Sequence, residues 1–565
     1  MAEPYGTDDM SGEMPIGIQD FKEIRENDCL YIDKSDMISQ ILSKRIKVHL
    51  YTRPRRFGKS LNLSMLDAFF NLKYPKDNKW FDGLKVSECE RYQKHRNEYP
   101  VINFDFKNLD SLDFDVFLGN LGQRLSDLYG MYDYLEGSDK LNRMDIAFYD
   151  SVFSNTTDIV KIGHSLKKLS EMLYKHHGKK VIILLDEYDS PINNSYGKPF
   201  LQDVVGVMRN MLSSALKGNE SLEFGVVTGV MQIAKESIFS GLNNLEVNNI
   251  FSKEFDESFG FTDDEVRSIL EDNGHPEKYD EAKEWYDGYR FGDADVYNPW
   301  SIIKYVKYGF KPGPYWAGTS GNDIMNSLLD NLDNNGFREL QALAGGKTLI
   351  KSIDPQVTLS DLNNSRNGIY SMMVISGYLS AIPYDDDDLY ELKLPNGEMY
   401  KALSRMIGYY IDGKISGGNS ANHISSISKA LFSNDVDRLE KALYNLFADS
   451  IGYQLLSNES NYQMFLTGLL MSNRGGYSVS AEFEKGKGRY DIMLESSVPT
   501  NPHVIIEIKH TKSDADEDTV LKDAERALSQ IRDRDYIHGL KGDVLLYGIA
   551  FRGKEPKIVS EIVHQ

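Results

Sequence analysis

Several features that mark common classes of protein are rare or missing in this chain. Its only cysteines, Cys29 and Cys89, cannot build a zinc site by themselves and provide no disulfide framework. No apolar run reaches the roughly 18 residues of a membrane-spanning helix, so we expect no membrane contact. The acidic start MAEPYGTDDMSGEMP lacks the basic and apolar regions of a signal peptide. A reducing cytoplasm is therefore the expected setting.

A positive net charge, which nucleic-acid-binding proteins often have, is also missing. The formal net charge is −21, and acidic residues outnumber basic ones in the region from Ser457 as well. Summed charge does not describe local potential, so this balance does not exclude a nucleic-acid partner. It requires that any such contact come from a local basic groove, helped by bound metal.

The order of segments predicts three parts in a chain that is too long, at 565 residues, for one hydrophobic core. Residues 15–257 alternate apolar strands with helices, which predicts an α/β domain built on a parallel sheet. Residues 258–450 are typical of a mostly helical middle region, with a β patch near 381–402. Residues 457–565 combine a helix with a β-rich segment and form the third predicted domain.

The first chemical motif is a candidate phosphate-binding loop. Gly58, Lys59 and Ser60 follow the strand-like run VHLYT and open a helical segment. Backbone N–H groups and a helix dipole can hold phosphates in that setting, with Lys59 at the β and γ phosphates and Ser60 on Mg²⁺. The general pattern requires a glycine where this chain has Arg53. A glycine turn with a solvated lysine is the alternative interpretation.

A second motif completes this candidate site. The run VIILLDEYD places Asp186 and Glu187 at the end of a strongly apolar strand. In nucleotide hydrolases such an aspartate holds Mg²⁺ and the next acid polarises the attacking water. Thr228, near the end of VVTGV, could sense the γ phosphate, although it could equally be an ordinary strand-end threonine.

The third motif lies near the C-terminus. GRYDIML is a predicted strand that carries Asp491, and the strand-like run HVIIEIKH carries Glu507 and Lys509. The last two residues are two positions apart, so they share one face of a strand. The two carboxylates can converge on a divalent cation, and the lysine can orient or help deprotonate the attacking water and stabilise the transition state. An exposed strand face with alternating acid and base is the alternative.

Together these segments resemble the AAA-ATPase-like proteins of prokaryotes, which carry a C-terminal nuclease-like domain of the PD-(D/E)XK superfamily. The loop RPRRFGKS is typical of that group, so Arg53 departs only from the general pattern. The resemblance implies that Arg56 and Phe57 belong to the ATP-binding loop and that Gln530, in ALSQIRDRDY, is an active-site residue. It also implies a restriction-endonuclease-like α/β fold for residues 457–565. The other matching segments are PIGIQDFKEIRENDCLYIDKSDMI, TGVMQIAKESIFSGLNNL, FGFTDDEVRSIL and WYDGYRFG…VYNPWS.

One further acid is common in this superfamily, before the core residues. Glu459, Glu482 and Glu484 are the candidates here, and we favour Glu482 because an acid often precedes the glycine-rich turn. Any of the three could be a solvated surface acid.

These motifs predict an enzyme that hydrolyses ATP and cleaves nucleic acid, with DNA as the expected substrate and ATP as regulator. Mg²⁺ is the expected metal, held by Ser60 and Asp186 in one site and by Asp491 and Glu507 in the other, where Mn²⁺ could replace it. The alternative is a nucleotide-dependent binding or interaction protein whose nuclease fold is inactive. Oligomer formation is left open.

Overall fold

The structure is a computed structural model in which the described residues form two compact units. The first unit is drawn from residues 1–324 and 350–398, and the second from residues 325–349 and 399–565. The predicted boundaries near residues 257 and 450 stay predictions. The described residues are 13–232, 245–316, 332, 334–344, 346–357, 366–385, 388–403, 406, 420–450, 459–472, 477–481, 484–485, 488–496, 498 and 500–564.

A five-stranded parallel sheet forms the centre of the first unit. Its three central strands are almost completely buried and mostly apolar, as expected of a sheet that is covered on both faces. The strands are β1 (Val48–Thr52), β2 (Val101–Asp105), β3 (Val181–Asp186), β4 (Leu222–Gly229) and β5 (Leu245–Asn248). Their order in the sheet is β2-β3-β4-β1-β5, and every neighbouring pair is parallel. The predicted parallel α/β domain is therefore confirmed.

Helices connect these strands, and local sequence signals set their ends. The helix that precedes β3 ends at Gly178, which has the left-handed φ of +68° that glycine adopts without strain. The helices are α1 (Phe21–Glu26), α2 (Asp36–Lys44), α3 (Lys59–Phe70), α4 (Glu90–Gln93), α5 (Phe114–Gly130), α6 (Arg143–Phe153), α7 (Ile159–His177), α8 (Ser190–Asn194) and α9 (Leu201–Leu216).

The middle of the chain is mainly helical, as predicted, with one two-stranded and one three-stranded sheet. Thr262 begins α10 in a capping box: its hydroxyl accepts from Glu265 N, and the Glu265 carboxylate accepts from Thr262 N. A core of buried aromatic and aliphatic side chains includes Tyr286, Tyr297 and Tyr305. The helices here are α10 (Asp263–Asp272), α11 (Tyr279–Tyr286), α12 (Pro299–Lys307), α13 (Asn334–Ala344), α14 (Arg366–Ile375), α15 (Ser420–Phe432) and α16 (Val436–Ser450). The strands are β6 (Tyr289–Phe291), β7 (Ala294–Val296), β8 (Leu349–Ser352), β9 (Ser380–Asp385) and β10 (Leu389–Lys393).

A second five-stranded sheet, of mixed direction, forms the C-terminal region. The strands of this region are β11 (Tyr477–Ala481), β12 (Glu484–Lys485), β13 (Gly488–Arg489), β14 (Ile492–Ser496), β15 (His503–Thr511), β16 (Val544–Arg552) and β17 (Glu555–Val563), of which β12 and β13 form a separate hairpin. The order in the sheet is β11-β14-β15-β16-β17, and of its neighbouring pairs only β15 and β16 run parallel. Helix α17 (Glu459–Ser472) precedes the sheet, and α18 (Glu517–Asp533) connects β15 to β16.

Gly548 explains how α18 lies so close to this sheet. A Cβ atom at Gly548, on β16, would fall 2.2 Å from the carbonyl oxygen of Ala524 and 2.5 Å from the Leu528 nitrogen. Only glycine permits this approach of helix to strand. The approach positions α18 over the middle of β15 and β16.

Among the described helices, none is both long and apolar enough to cross a membrane.

Candidate functional site

The candidate phosphate loop joins β1 to α3 and turns at Gly58. This residue is the N-cap of α3 and has a φ of +85°, which a side chain would strain. Every helix begins with N–H groups that lack partners within the helix, and its dipole is positive there. The strand, glycine turn and helix start therefore form the arrangement in which an anion is held.

Lys59 lies buried at the base of this loop. Its ammonium donates to the carbonyl oxygens of Arg53 at 2.9 Å and Pro54 at 2.8 Å. Burial lowers the pKa of Lys59 to about 8, and the nearby acids, chiefly Glu187 and Asp186, oppose this effect. A bound phosphate would place a negative charge beside the ammonium, so the site favours an anionic ligand that keeps Lys59 charged.

Asp186 links the loop to the neighbouring strands. Its Oδ1 accepts from the Thr228 hydroxyl on β4 at 2.5 Å, and its Oδ2 accepts from the Ser60 hydroxyl at 2.5 Å. These residues meet because β3, β4 and β1 are adjacent and parallel, so their carboxyl ends share one edge of the sheet. Hydroxyl and carboxylate oxygens suit Mg²⁺. Ser60 and Asp186 thus fit the metal that accompanies ATP.

Glu187 has an unusual backbone beside this cluster. Its φ of +49° is left-handed, a conformation that is uncommon outside glycine and frequent at functional sites. Burial raises the pKa of Glu187. The positive charge of Lys107 opposes this increase, and the negative charge of Asp186 adds to it. A carboxylate with a raised pKa binds a proton more readily, which suits a group that polarises water.

Lys107 and Asp105 join the site without having been predicted from the sequence. They lie at the carboxyl end of β2, and Asp105 pairs with Asp186 in the register of β2 and β3. The Lys107 ammonium lies 3.2 Å from Ser60 Oγ and 3.6 Å from Asp186 Oδ2. The available signal was an acid and a base directly after an apolar strand-like run, but its meaning depended on the strand order.

The other loop residues differ in where their side chains lie. Arg56 stacks its guanidinium 4.4 Å from the centre of the Trp300 ring. Phe57 is buried against Tyr289 and Phe291, so only its backbone can contact a nucleotide.

Arg53, in the place of the usual glycine, is completely buried. It donates to the carbonyl oxygens of Thr52, Asn248 and Phe255 at 2.9, 2.8 and 3.3 Å and lies about 5 Å from two aromatic rings, those of Phe259 and Phe291. Its side chain therefore supports the loop from behind.

The C-terminal motif residues converge at the centre of the second sheet. Asp491 lies at a bend just before β14, whereas the sequence placed it on the strand itself. Its Oδ2 accepts from the Ile508 nitrogen on β15 at 2.6 Å, which fixes it beside Glu507. Glu507 and Lys509 lie on one face of β15, as predicted, and their charged groups are 3.5 Å apart. Gln530, on α18, donates from Nε2 to Glu507 Oε1.

Glu507 is buried, with 1% of its surface exposed. Its Oε1 accepts hydrogen bonds from Gln530 Nε2 and from the Lys509 ammonium. Its Oε2 is buried and has no hydrogen-bond partner among the described residues. Burial and the Asp491 charge raise the pKa of Glu507 to about 8, and Lys509 opposes this. An unsatisfied buried carboxylate oxygen beside a second carboxylate fits a divalent cation, which would compensate both charges.

The described residues contain no cluster of three or more histidine, cysteine, aspartate or glutamate side chains suited to a metal. Two carboxylates with water are sufficient for Mg²⁺, which usually retains several of its waters. The fit to a metal therefore depends on Asp491 and Glu507 alone.

Helix α17 brings a third acid to this site. Glu459, its first residue, lies 3.3 Å from the Lys509 ammonium. Gln463, one turn later, donates to the carbonyl oxygen of Asp491 at 2.9 Å and so fixes the helix against the motif. Gln463 was not predicted, although its spacing from Glu459 places both on one helix face. Glu482 lies outside the described residues, and so does the side chain of Glu484.

Comparison with known proteins finds a family match over each of the two regions that carry these sites. Residues 15–239 match the family described as predicted AAA-ATPase, and residues 457–561 match the PD-(D/E)XK nuclease superfamily. The resemblance inferred from the sequence is thereby confirmed: one region of the chain is similar to predicted AAA-ATPases and another to PD-(D/E)XK nucleases. A curated relative is the uncharacterized protein in the vnfD 5′ region of Azotobacter chroococcum mcd 1. It is 25% identical, and the alignment covers 98% of each chain.

Proposed function

We propose that this chain is an ATPase that controls a metal-dependent nuclease, with DNA as the substrate. The convergence of Asp491, Glu507, Lys509 and Gln530 carries the proposal. Two carboxylates, one with an unsatisfied buried oxygen, lie beside a lysine and an amide on one face of a sheet. That combination supports phosphodiester hydrolysis better than a purely structural ion-pair cluster, which would leave no buried oxygen without a partner.

Each residue of the C-terminal site has a distinct task in this proposal. A divalent cation held by Asp491 and Glu507 would stabilise the negative charge that develops on the phosphate. Burial lowers the pKa of Lys509, but Glu507, Glu459 and Asp491 outweigh it and the pKa is raised overall. Lys509 is therefore protonated and acts as a donor that orients water and stabilises charge, rather than as a base. Gln530 holds Glu507 in position.

Glu459 is the acid that we propose completes this site, in place of Glu482. It lies 3.3 Å from Lys509, so it helps to keep the lysine charged and directed toward the carboxylates. Its first position in α17 also suits an acid, because the helix dipole is positive there.

In the N-terminal site, Lys59 and the start of α3 would hold the phosphates of ATP. Ser60 and Asp186 would hold Mg²⁺, and Thr228 fixes Asp186 through its hydrogen bond. Glu187 would orient the attacking water. The proposed control of cleavage by ATP follows from the presence of both sites in one chain.

The test uses the full chain and supercoiled plasmid. Nicking is measured with Mg²⁺ or Mn²⁺, with EDTA as control, and each condition is run with and without ATP. We expect metal-dependent nicking whose rate changes with ATP. The Lys59→Ala variant should lose ATP binding, and with it the response to ATP, because the phosphates lose their buried counter-charge. Absence of wild-type cleavage in every condition would favour the alternative, a binding protein with an inactive nuclease fold.

A further inference from the structure

Lys107 has no role in the general phosphate-loop chemistry, yet it lies at the centre of the candidate metal site. Its ammonium is 3.2 Å from Ser60 Oγ, 3.6 Å from Asp186 Oδ2 and 3.9 Å from Glu187 Oε1. It is also 3.7 Å from Asp105 Oδ2. These oxygens include the two that fit Mg²⁺, so a side-chain cation lies among the metal's own ligands.

Hydrogen bonds of the backbone fix the position of Lys107. Its backbone nitrogen donates to Asp105 Oδ1 at 2.8 Å, and the Arg124 guanidinium donates to the Asp105 carbonyl oxygen at 2.7 Å. The Lys107 side chain is about one-quarter exposed, at 26%. The turn after β2 thus directs the ammonium toward the carboxyl end of the neighbouring strand β3, where Asp186 lies.

We propose that Lys107 is a resident counter-cation of the nucleotide site: it occupies the Mg²⁺ ligands while the site is empty and moves to the phosphates when Mg²⁺ and ATP bind together. The proposal rests on the proposed nucleotide-binding function. A metal ion and an ammonium repel each other and cannot share the same oxygens at these distances. Free metal must therefore displace the lysine without any compensating anion, whereas metal bound to ATP brings phosphates that attract the lysine.

This arrangement makes two predictions of opposite sign for Lys107→Met. Without nucleotide, the variant should bind Mn²⁺ about tenfold or more tightly, because the carboxylates lose their internal competitor. Without metal, it should bind ATP about tenfold or more weakly, because the phosphates lose a cation. A purely structural role would weaken both kinds of binding. Lys107→Arg keeps the charge and should keep both affinities near wild type.

Lys175→Met is the matched control. Lys175 also pairs with a buried carboxylate, that of Asp145, at 2.8 Å. It lies near the end of α7, a few residues before β3 begins, and so at the opposite edge of the sheet from Asp186. Its loss should leave Mn²⁺ and ATP binding unchanged.

Mn²⁺ binding is followed by electron paramagnetic resonance on the full chain, with Asp491→Asn and Glu507→Gln in every protein to remove the second site. ATP binding is measured by calorimetry in EDTA, and thermal unfolding checks that each variant folds. Adding Asp186→Asn to Lys107→Met should abolish the gained Mn²⁺ binding, which locates it.

Unchanged or weaker Mn²⁺ binding in Lys107→Met, or unchanged ATP binding, would overturn the proposal for Lys107. Failure of the wild-type chain to bind ATP with Mg²⁺ would instead refute the nucleotide-binding function, and the Mn²⁺ titration would still report whether Lys107 occupies a cation site.

Discussion

The two candidate sites each contain a buried ionisable side chain, but of opposite charge. In the N-terminal site burial lowers the pKa of Lys59 to about 8, and in the C-terminal site burial and the Asp491 charge raise the pKa of Glu507 to about 8. Desolvation disfavours the charged form in both cases. The two sites therefore favour ligands of opposite charge: an anion stabilises the charged lysine, and a cation stabilises the ionised glutamate.

The two sites also differ in how their charges are neutralised. In the N-terminal site Lys107 lies among three carboxylates and a hydroxyl. In the C-terminal site Lys509 lies between Glu507 and Glu459, and one Glu507 oxygen keeps no partner among the described residues. The second site is thus less completely neutralised, and we expect it to show the stronger dependence on metal.

The largest expected effect is the loss of nucleic-acid cleavage without loss of ATP binding when the C-terminal site is changed. Asp491→Ala and Glu507→Ala should each reduce metal-dependent plasmid nicking by on the order of 10³-fold, because each removes one of two strong metal ligands. Lys509→Ala should retain metal binding and still lose most cleavage. ATP binding, measured in the same preparations, should remain at the wild-type level. Cleavage that survives in the two acid variants would refute this site.

A smaller effect is expected from the acid of the first site. Glu187→Gln keeps the metal ligand Asp186 but removes the group that polarises water, so ATP hydrolysis should fall by on the order of 10²-fold. Release of phosphate measures hydrolysis, and calorimetry should show unchanged ATP affinity. Hydrolysis at the wild-type rate would assign this task to another residue.

The pH dependence of ligand binding should have opposite slopes at the two sites. ATP requires charged Lys59, so its affinity in EDTA should fall by up to about tenfold per pH unit above about pH 8. Metal requires ionised Glu507, so Mn²⁺ affinity at the second site should rise by up to about tenfold per unit until about pH 8 and then level off. Mn²⁺ titrations use Asp186→Asn to silence the first site. If ATP affinity and Mn²⁺ affinity changed in the same direction with pH, the two sites would not contain buried groups of opposite charge.

The smallest effect concerns stability. The folded-state pKa of Glu507 lies above its ordinary value of 4.5, so its ionisation costs stability as the pH rises from about 4.5 to about 8. Glu507→Gln removes that charge and should increase the free energy of unfolding by at least about 1 kcal/mol at pH 8 in EDTA, since each unit of pKa shift corresponds to about 1.4 kcal/mol. At pH 4 the two proteins should be alike. Urea unfolding at both pH values measures the difference. A variant that is more stable than the wild type at pH 4 alone would show that the ionisation of Glu507 does not cause the effect.

The sequence predicted what depends on local pattern. The strand β3 and the acids that follow were recognisable because an unbroken apolar run of five residues leads directly to Asp186. Glu507 and Lys509 were placed on one strand face because their spacing matches the period of a strand. The helix that carries Gln530 came from the family resemblance.

The remaining features depend on which elements become neighbours in space. Lys107 reaches Asp186 only because β2 lies next to β3. The sequence alone does not show which strands are neighbours. Glu459 could not be distinguished from Glu482 because the choice required the position of α17 relative to Lys509. The burial of Glu507 likewise depends on α18, which approaches the sheet at Gly548.

The buried arginine at position 53 has a consequence for protein engineering. Changing Arg53 to glycine would restore the general phosphate-loop pattern, and consensus changes of that kind often stabilise proteins. Here the same change would leave three carbonyl oxygens without their donor and open a space between two aromatic rings. In this chain, a more typical motif would be a less stable loop.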